Sequence, residues 1–212
     1  MCGITGKLTY DGEPISRELL EAMTDVVSHR GPDASGYYVG EGVGLGHRRL
    51  SIIDLATGDQ PLANEDETIW VVFNGEIYNF ADLRRQLEAA GHRFRTHSDT
   101  EVIVHGYEEW GASCVERFRG MFAFAVWDAR QRRLLLARDR LGVKPLYYAA
   151  LPQGVIFGSE IKSILQDPAV SRAWRPDALD AYLTLAYIPG PATIFAQVWK
   201  LPPGKLVREA WN

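Results

Sequence analysis

Met1-Cys2-Gly3-Ile4-Thr5-Gly6 (MCGITG, residues 1–6) opens the chain, and the reading of its second residue decides how the rest is understood. Cysteine is small enough to allow removal of a preceding initiator methionine. Position 2 then carries a thiol and a free α-amino group on one carbon. Free thiols titrate near roughly 8.5 and α-amino groups near roughly 7.7–8.0, so the amine can take the thiol proton, directly or through a water, and the thiolate can attack. That pairing exists only at a chain terminus. Lys7 and Asp11 interrupt any apolar run, so no signal peptide or propeptide is expected ahead of it. Ile4, Leu8 and Tyr10 alternate with small or polar residues, which predicts a strand from Cys2 to Tyr10 closed by a turn at Asp11-Gly12. The candidate nucleophile therefore heads a strand at a sheet end. A second-place cysteine with no chemical role would read the same in isolation, so the remaining chain must decide.

Outward from that strand, 212 residues suffice for a substantial core, and 46% hydrophobic with 24% charged residues fits an ordinary globular protein. The net charge of −4 and the lack of a long basic run argue against nucleic acid or an anionic membrane as partner. No stretch approaches the roughly 18 apolar residues of a membrane span. Two cysteines, Cys2 and Cys114, offer no disulfide framework, so a reducing cytoplasm is expected. Cys114, among Trp110, Val115 and Phe118, reads as a packing residue. His29, His47, His92, His97 and His105 show no metal-ligand spacing, and no metal is expected.

Leu19, Leu20, Met23, Val26 and Val27 recur at helical spacing between Ser16 and His29, and Gly31-Pro32 stops them. Two short strands, 35–39 and 43–47, flank Gly40-Glu41-Gly42. The run 68–73 is strongly β and is expected to end at Asn74-Gly75, a turn signal that would leave the Asn74 amide exposed. A helix over 81–90 has Asn79 as cap and Gly91 as terminator. Another begins at Ser98, where Ser98 and Glu101 have capping-box spacing. Strands at 121–127 and 133–138 form a hairpin, and 146–150 pairs with 155–158. Many antiparallel strands with few amphipathic helices predict a layered α/β or α+β domain over 1–165. Residues 166–212 read as a helix near 177–186 and a Pro-rich linker, either disordered or folded back on the sheet.

Six stretches can then be read together: MCGITG, HRGPDASG at 29–36, GHRRLSIIDLATGDQPL at 46–62, VVFNGEIYN at 71–79, THSDTE at 96–101 and ARDRLGVKPLYY at 137–148. In order, and over nearly the whole chain, they resemble the glutaminase domain of glutamine-dependent asparagine synthetases, class II glutamine amidotransferases of the N-terminal nucleophile type. The resemblance implies an α+β fold, a four-layer αββα sandwich of two mostly antiparallel sheets. It implies Cys2 as nucleophile on the side-chain amide of L-glutamine, with Asn74 and Gly75 supplying the oxyanion donors. Arg49 would grip the substrate α-carboxylate, Leu50, Ser51, Ile52 and Ile53 would line the pocket, and Asp99 with Glu76 would receive the α-ammonium. Asp99 can also be read as a helix-start residue favoured by the macrodipole.

Arg48 departs from the acidic or polar residue of the family motif and should point away from Arg49, to the surface. Arg30, Asp33, Asp139 and Arg140 would hold turns around the site. The passages AYIPGPATIF at 186–195 and KLPPGKL at 200–206 are similar to the link between the two domains of those synthetases. By this resemblance the linker runs toward an absent C-terminal synthetase domain, where ATP and Mg²⁺ would activate aspartate. No cofactor is expected in residues 1–212 themselves, which carry no SGGxDS-type pyrophosphate loop. A homodimer is compatible with this reading. The rivals are the same glutaminase feeding another amide-forming or amino-transferring domain, and a silent glutamine-binding regulatory domain.

Overall fold

A computed structural model describes residues 1–51 and 58–210. In chain order its elements are β1 (Gly3–Thr9), α1 (Arg17–Asp25), β2 (Ala34–Gly40), β3 (Val43–Arg49), β4 (Leu62–Ala63), β5 (Ile69–Ile77), α2 (Phe80–Ala89), α3 (Glu101–Trp110), α4 (Cys114–Arg117), β6 (Gly120–Asp128), β7 (Arg133–Arg138), β8 (Tyr147–Leu151), β9 (Gly154–Gly158), α5 (Ile161–Ile164), α6 (Pro176–Leu185), β10 (Trp199–Lys200) and β11 (Leu206–Ala210). Six strands form one sheet in the order β10-β8-β9-β1-β3-β2, and five form a second, β11-β7-β6-β5-β4. Every pairing is antiparallel.

The period-2 alternation of side chains sorts the apolar residues into layers. Between the sheets, Ile4, Leu8, Val43 and Leu45 meet Val72, Ala123, Ala125, Trp127, Leu134 and Leu136. The alternate residues of the second sheet, Val71, Phe73, Phe122, Phe124, Val126 and Leu135, pack under Leu83 and Leu87 of α2 and Ile103 and Tyr107 of α3. On the outer side of the first sheet, Ile156, Ala149 and Leu151 pack with Met23 of α1 and Ile164 of α5. The result is the expected αββα sandwich. Strands β5, β6 and β7 are covered on both faces, which is why IWVVF, MFAFAVW and LLLA read as continuous apolar runs.

The segment after 166 folds back: β10 pairs with β8, and β11 pairs with β7. Helix α1 begins as expected, with Ser16 Oγ accepting from Leu19 N at 3.1 Å, and Gly91 ends α2 at φ +106°. Two local expectations are corrected. Asn79 stands at the N-cap of α2 without capping it, because its amide is engaged by Arg119 N and Arg117 O. The Ser98/Glu101 capping box does not form. The Glu101 carboxylate turns back to Arg95 N and Thr96 N, at 2.8 Å each, and α3 starts at Glu101 itself. Those amides belong to the connector from α2 and would otherwise be unsatisfied, so long-range pairing outweighs the local cap. Cys114 is buried, and that burial pushes its thiol up to about 12, as befits a packing residue.

Candidate active site

Cross-strand pairs share a face, and Ile4 lies opposite His47 in the β1/β3 ladder. Ile4 faces the second sheet, so Cys2, His47 and Arg49 face it too, while Arg48 turns outward to Asp25. From the opposite sheet, Asn74 lies on the same face of β5 as Val72 and so points back at them. The two sheets thus bring Cys2, Arg49, Asn74, Gly75, Glu76, Leu50 and Asp99 to one cleft of about 110 Å³. The Cys2 thiol rests against the start of the next loop: Leu50 N donates to Sγ at 3.4 Å, and Sγ donates to Leu50 O at 3.7 Å.

The expected strand end at Asn74-Gly75 is corrected. Strand β5 continues to Ile77, pairing Asn74 with Ala123 and Gly75 with Phe122, and Asn74 is 1% exposed. Gly75 is needed there because a Cβ would stand 2.2 Å from Met121 O and 2.7 Å from Phe122 Cα. Tertiary pairing has overridden the turn propensity of Asn-Gly.

The same strand explains where its amides point. Phe122 N and O are both engaged by Asp139, so its opposite residue Gly75 directs N–H and C=O to the other edge. Strand β4 covers that edge only at Val71 and Trp70. Beyond it, Phe73 N donates to Gln60 Oε1 at 2.6 Å and Ile77 N donates to Asp99 Oδ2 at 2.8 Å. The Gly75 N–H lies between them and opens on the cleft. Phe73 O accepts from His47 Nε2 at 3.2 Å, which fixes the proton on that nitrogen. Burial lowers His47 to about 4, keeping it a neutral cross-link between the sheets. Among the described residues, the Asn74 Nδ2 amide is buried without a hydrogen-bond partner.

Asp99 precedes α3 and is pushed up to about 6, first by burial and further by the Glu76 charge, against the Ile77 N–H bond that favours ionisation. Arg49 is buried and pairs with Asp59 at 2.7 Å. Ser51 N donates to Asp33 Oδ2 at 2.8 Å. Ile52 and Ile53 lie outside the described residues. Arg30 Nε donates to Cys2 O at 3.0 Å and its Nη1 to Glu160 at 3.1 Å. Asp139 accepts from Leu141, Val143 and Lys144 amides, and Arg140 donates to Phe118 O and Glu116 O. All four turn-holding residues therefore act as expected. Sequence reasoning gave no role to Gln60, His47 or Lys144. Lys144 Nζ reaches Met1 Sδ at 3.2 Å over the cleft. Their signal was only membership of the quoted motifs.

The expectation that the histidines do not cluster at metal spacing is also corrected: His92 and His105 come together with Glu65, and none of the three lines this cleft.

Residues 1–211 match the family model described as a glutamine amidotransferase domain. The chain belongs to this family. The domain is 43% identical over 212 residues to glutamine-hydrolysing asparagine synthetase 1 of Bacillus subtilis, covering 96% of this chain and 33% of that protein. It is 46% identical over 169 residues to glutamine-hydrolysing asparagine synthetase 3 of Arabidopsis thaliana, covering 79% of this chain and 29% of that one. The domain thus spans about a third of the length of the curated relatives it matches. A solved structure of glutamine phosphoribosylpyrophosphate amidotransferase from Bacillus subtilis shares the fold, with TM-score 0.63 at 20% identity over 77% of this chain and 43% of that chain. No helix among the described residues is long and apolar enough to cross a membrane.

Proposed function

We propose that this domain hydrolyses L-glutamine to L-glutamate and ammonia through a thioester on Cys2. We further propose that the ammonia serves asparagine formation from aspartate in a larger synthetase domain, where ATP and Mg²⁺ would act. The observation that carries the reading is one cleft holding the Cys2 thiol, the Asn74 amide, which has no hydrogen-bond partner among the described residues, and the outward Gly75 N–H. Two donors preorganised in a buried site are what a tetrahedral oxyanion requires.

With Met1 removed, the α-amine of Cys2 takes the thiol proton and Sγ attacks the side-chain carbonyl carbon. The carbonyl oxygen becomes an oxyanion between Asn74 Nδ2 and Gly75 N–H. Its collapse breaks the C–N bond, and ammonia leaves with the proton held by the α-ammonium. Water, deprotonated by the same amine, then cleaves the thioester to glutamate and free thiol. Arg49 suits the α-carboxylate because a guanidinium fork can hold both oxygens. Asp99 and Glu76 suit the α-ammonium. Arg30 holds the Cys2 carbonyl and so aims the terminus.

The test is intact mass before and after an electrophilic glutamine analogue. A starting mass without methionine, followed by one adduct that glutamine suppresses and Cys2→Ala abolishes, is expected. A chain without methionine that never labels would instead favour a silent binding domain. The exposed apolar residues of α6, Leu179, Tyr182, Leu183 and Leu185 with Tyr187 beside them, support a working surface against another domain.

Asp99 gives a prediction in which binding and stability move oppositely. The folded state keeps a proton on Asp99 up to about 6, against an ordinary value of 3.8. Between those values the folded state binds the extra proton. The associated stability is therefore fully present below 3.8 and lost as pH rises through about 6. At neutral pH the buried charge is a cost, borne for the substrate ammonium. Asp99→Asn keeps an oxygen for Ile77 N and removes the charge. It is expected to raise Tm at pH 7 and to raise KM for glutamine about 10–100-fold, the size of a lost charged hydrogen bond. In the unmodified chain, kcat/KM should fall as pH drops below about 6. An Asp99→Asn chain with unchanged KM would remove Asp99 from the substrate site.

A further inference from the structure

Away from the cleft, Glu65 from the β4–β5 turn, His92 just past α2 and His105 of α3 place one ligand atom each within 4.8 Å of one another. The rings of His92 and His105 are 5.1 Å apart. His105 is 1% exposed, and among the described residues neither of its ring nitrogens has a hydrogen-bond partner. A neutral imidazole carries one N–H, and here both ring nitrogens meet carboxylate oxygens only at 3.5 Å or beyond, contacts too long to close a hydrogen bond.

The orientation of the rings is informative. His105 Nδ1 lies 3.7 Å from Glu65 Oε2 and 3.6 Å from Glu108 Oε2, while its Nε2 is backed by Glu101 Oε1 at 3.5 Å. His92 repeats the pattern: Nδ1 is 3.4 Å from Glu108 Oε2, and Nε2 meets Glu109 Oε2 at 3.2 Å. Each imidazole thus turns one nitrogen to a shared centre and the other to an outer carboxylate. Ligating histidines show this carboxylate–histidine arrangement, which fixes the tautomer and makes the inner nitrogen a better donor. Glu101 is in turn anchored by Arg95 N and Thr96 N, and Glu65 Oε1 by Arg93 N at 2.9 Å.

We propose that Glu65, His92 and His105, with Glu108 alongside, bind a divalent transition metal, Zn²⁺ by preference. Two imidazoles and a carboxylate match its ligand set, and tetrahedral ligands at its bond lengths stand ~3.4 Å apart, within reach of side-chain rotation from the present spacing. The ion joins three segments that no disulfide or strand connects. One of them, α3, follows directly on Asp99, so the site is a structural staple behind the substrate pocket.

The test is calorimetric titration of Zn²⁺ alone into the metal-stripped full chain carrying Cys2→Ser, which removes the N-terminal aminothiol as a competing chelator. One ion per chain and a Tm that climbs with free Zn²⁺ are expected. His92→Ala, at a partly exposed position that should fold without it, is expected to weaken binding about 100-fold or more and to abolish the Tm response; removing an outer partner alone costs 10–100-fold. Glu65→Gln should weaken binding as well. Absence of stoichiometric binding to the Cys2→Ser chain overturns the site, as does binding that His92→Ala leaves unchanged. Binding seen only in the chain that retains Cys2 overturns it equally, since the metal then sits on the aminothiol.

Discussion

Cys2→Ala is expected to eliminate glutamine hydrolysis, with kcat at least about 10⁴-fold below the unmodified chain, the scale set by deleting a covalent nucleophile. Glutamine should still bind, because the groups suited to its α-carboxylate and α-ammonium, Arg49 and Asp99, come from β3 and from the turn just before α3, and neither depends on the thiol. A calorimetric Kd within a few-fold of the unmodified chain is the accompanying result. A chain forced to retain Met1 should be as inactive as Cys2→Ala while keeping its thiol. There the nitrogen of Cys2 is a peptide amide that can accept no proton, and the Met1 side chain lies over the cleft against Lys144. Steady-state ammonia release from the three chains, matched by mass, checks this. Full activity with Met1 in place would show that some other group serves as base, and would dismantle the terminal aminothiol mechanism.

How far such a site can be read from sequence depends on the range of the interactions that build it. The alternation of Ile4 and Leu8 placed Cys2 at a strand head because strand periodicity is local, and the same rule sent Arg48 and Arg49 to opposite faces. The layered class was legible from the many strands and few amphipathic helices, but the four-layer sandwich came only from the family resemblance; in the structure it accounts for the apolar runs of β5, β6 and β7, which are covered on both faces. Asn74-Gly75 was misread as a strand end. Its dihedral preference is a local quantity, and it was outweighed by pairing with Ala123 and Phe122 nearly fifty residues downstream. The Ser98 cap failed similarly, when Glu101 was drawn to the amides of Arg95 and Thr96. His92 and His105 left no spacing signal at all. Their meeting depends on how α2 and α3 pack, and Glu65 reaches them from a different hairpin. Gln60 and His47 were hidden in the same way: each answers a backbone group of Phe73 that lost its partner where β4 stops.

Asn74→Ala should lower kcat about 10²–10³-fold with little change in KM, the signature of a donor used more strongly in the transition state than with bound substrate. The structure makes this a clean substitution. The Asn74 amide nitrogen has no hydrogen-bond partner among the described residues, so alanine breaks no ladder contact, and a Tm close to that of the unmodified chain should accompany the loss. Asn74→Asp should be worse than alanine, since it sets a buried carboxylate where negative charge must develop, and its deficit should ease as pH falls and the carboxyl takes up a proton. Gly75 cannot be tested in the same way. Its contribution is a backbone N–H that every residue but proline retains, whereas the added Cβ of Gly75→Ala would strike Met121 O and Phe122 Cα and force β5 away from β6. Gly75→Ala should therefore lower Tm and activity together, while Asn74→Ala lowers activity alone. If the two variants fail in the same way, with Asn74→Ala also unfolding, the buried amide is a packing group and the oxyanion must be held elsewhere.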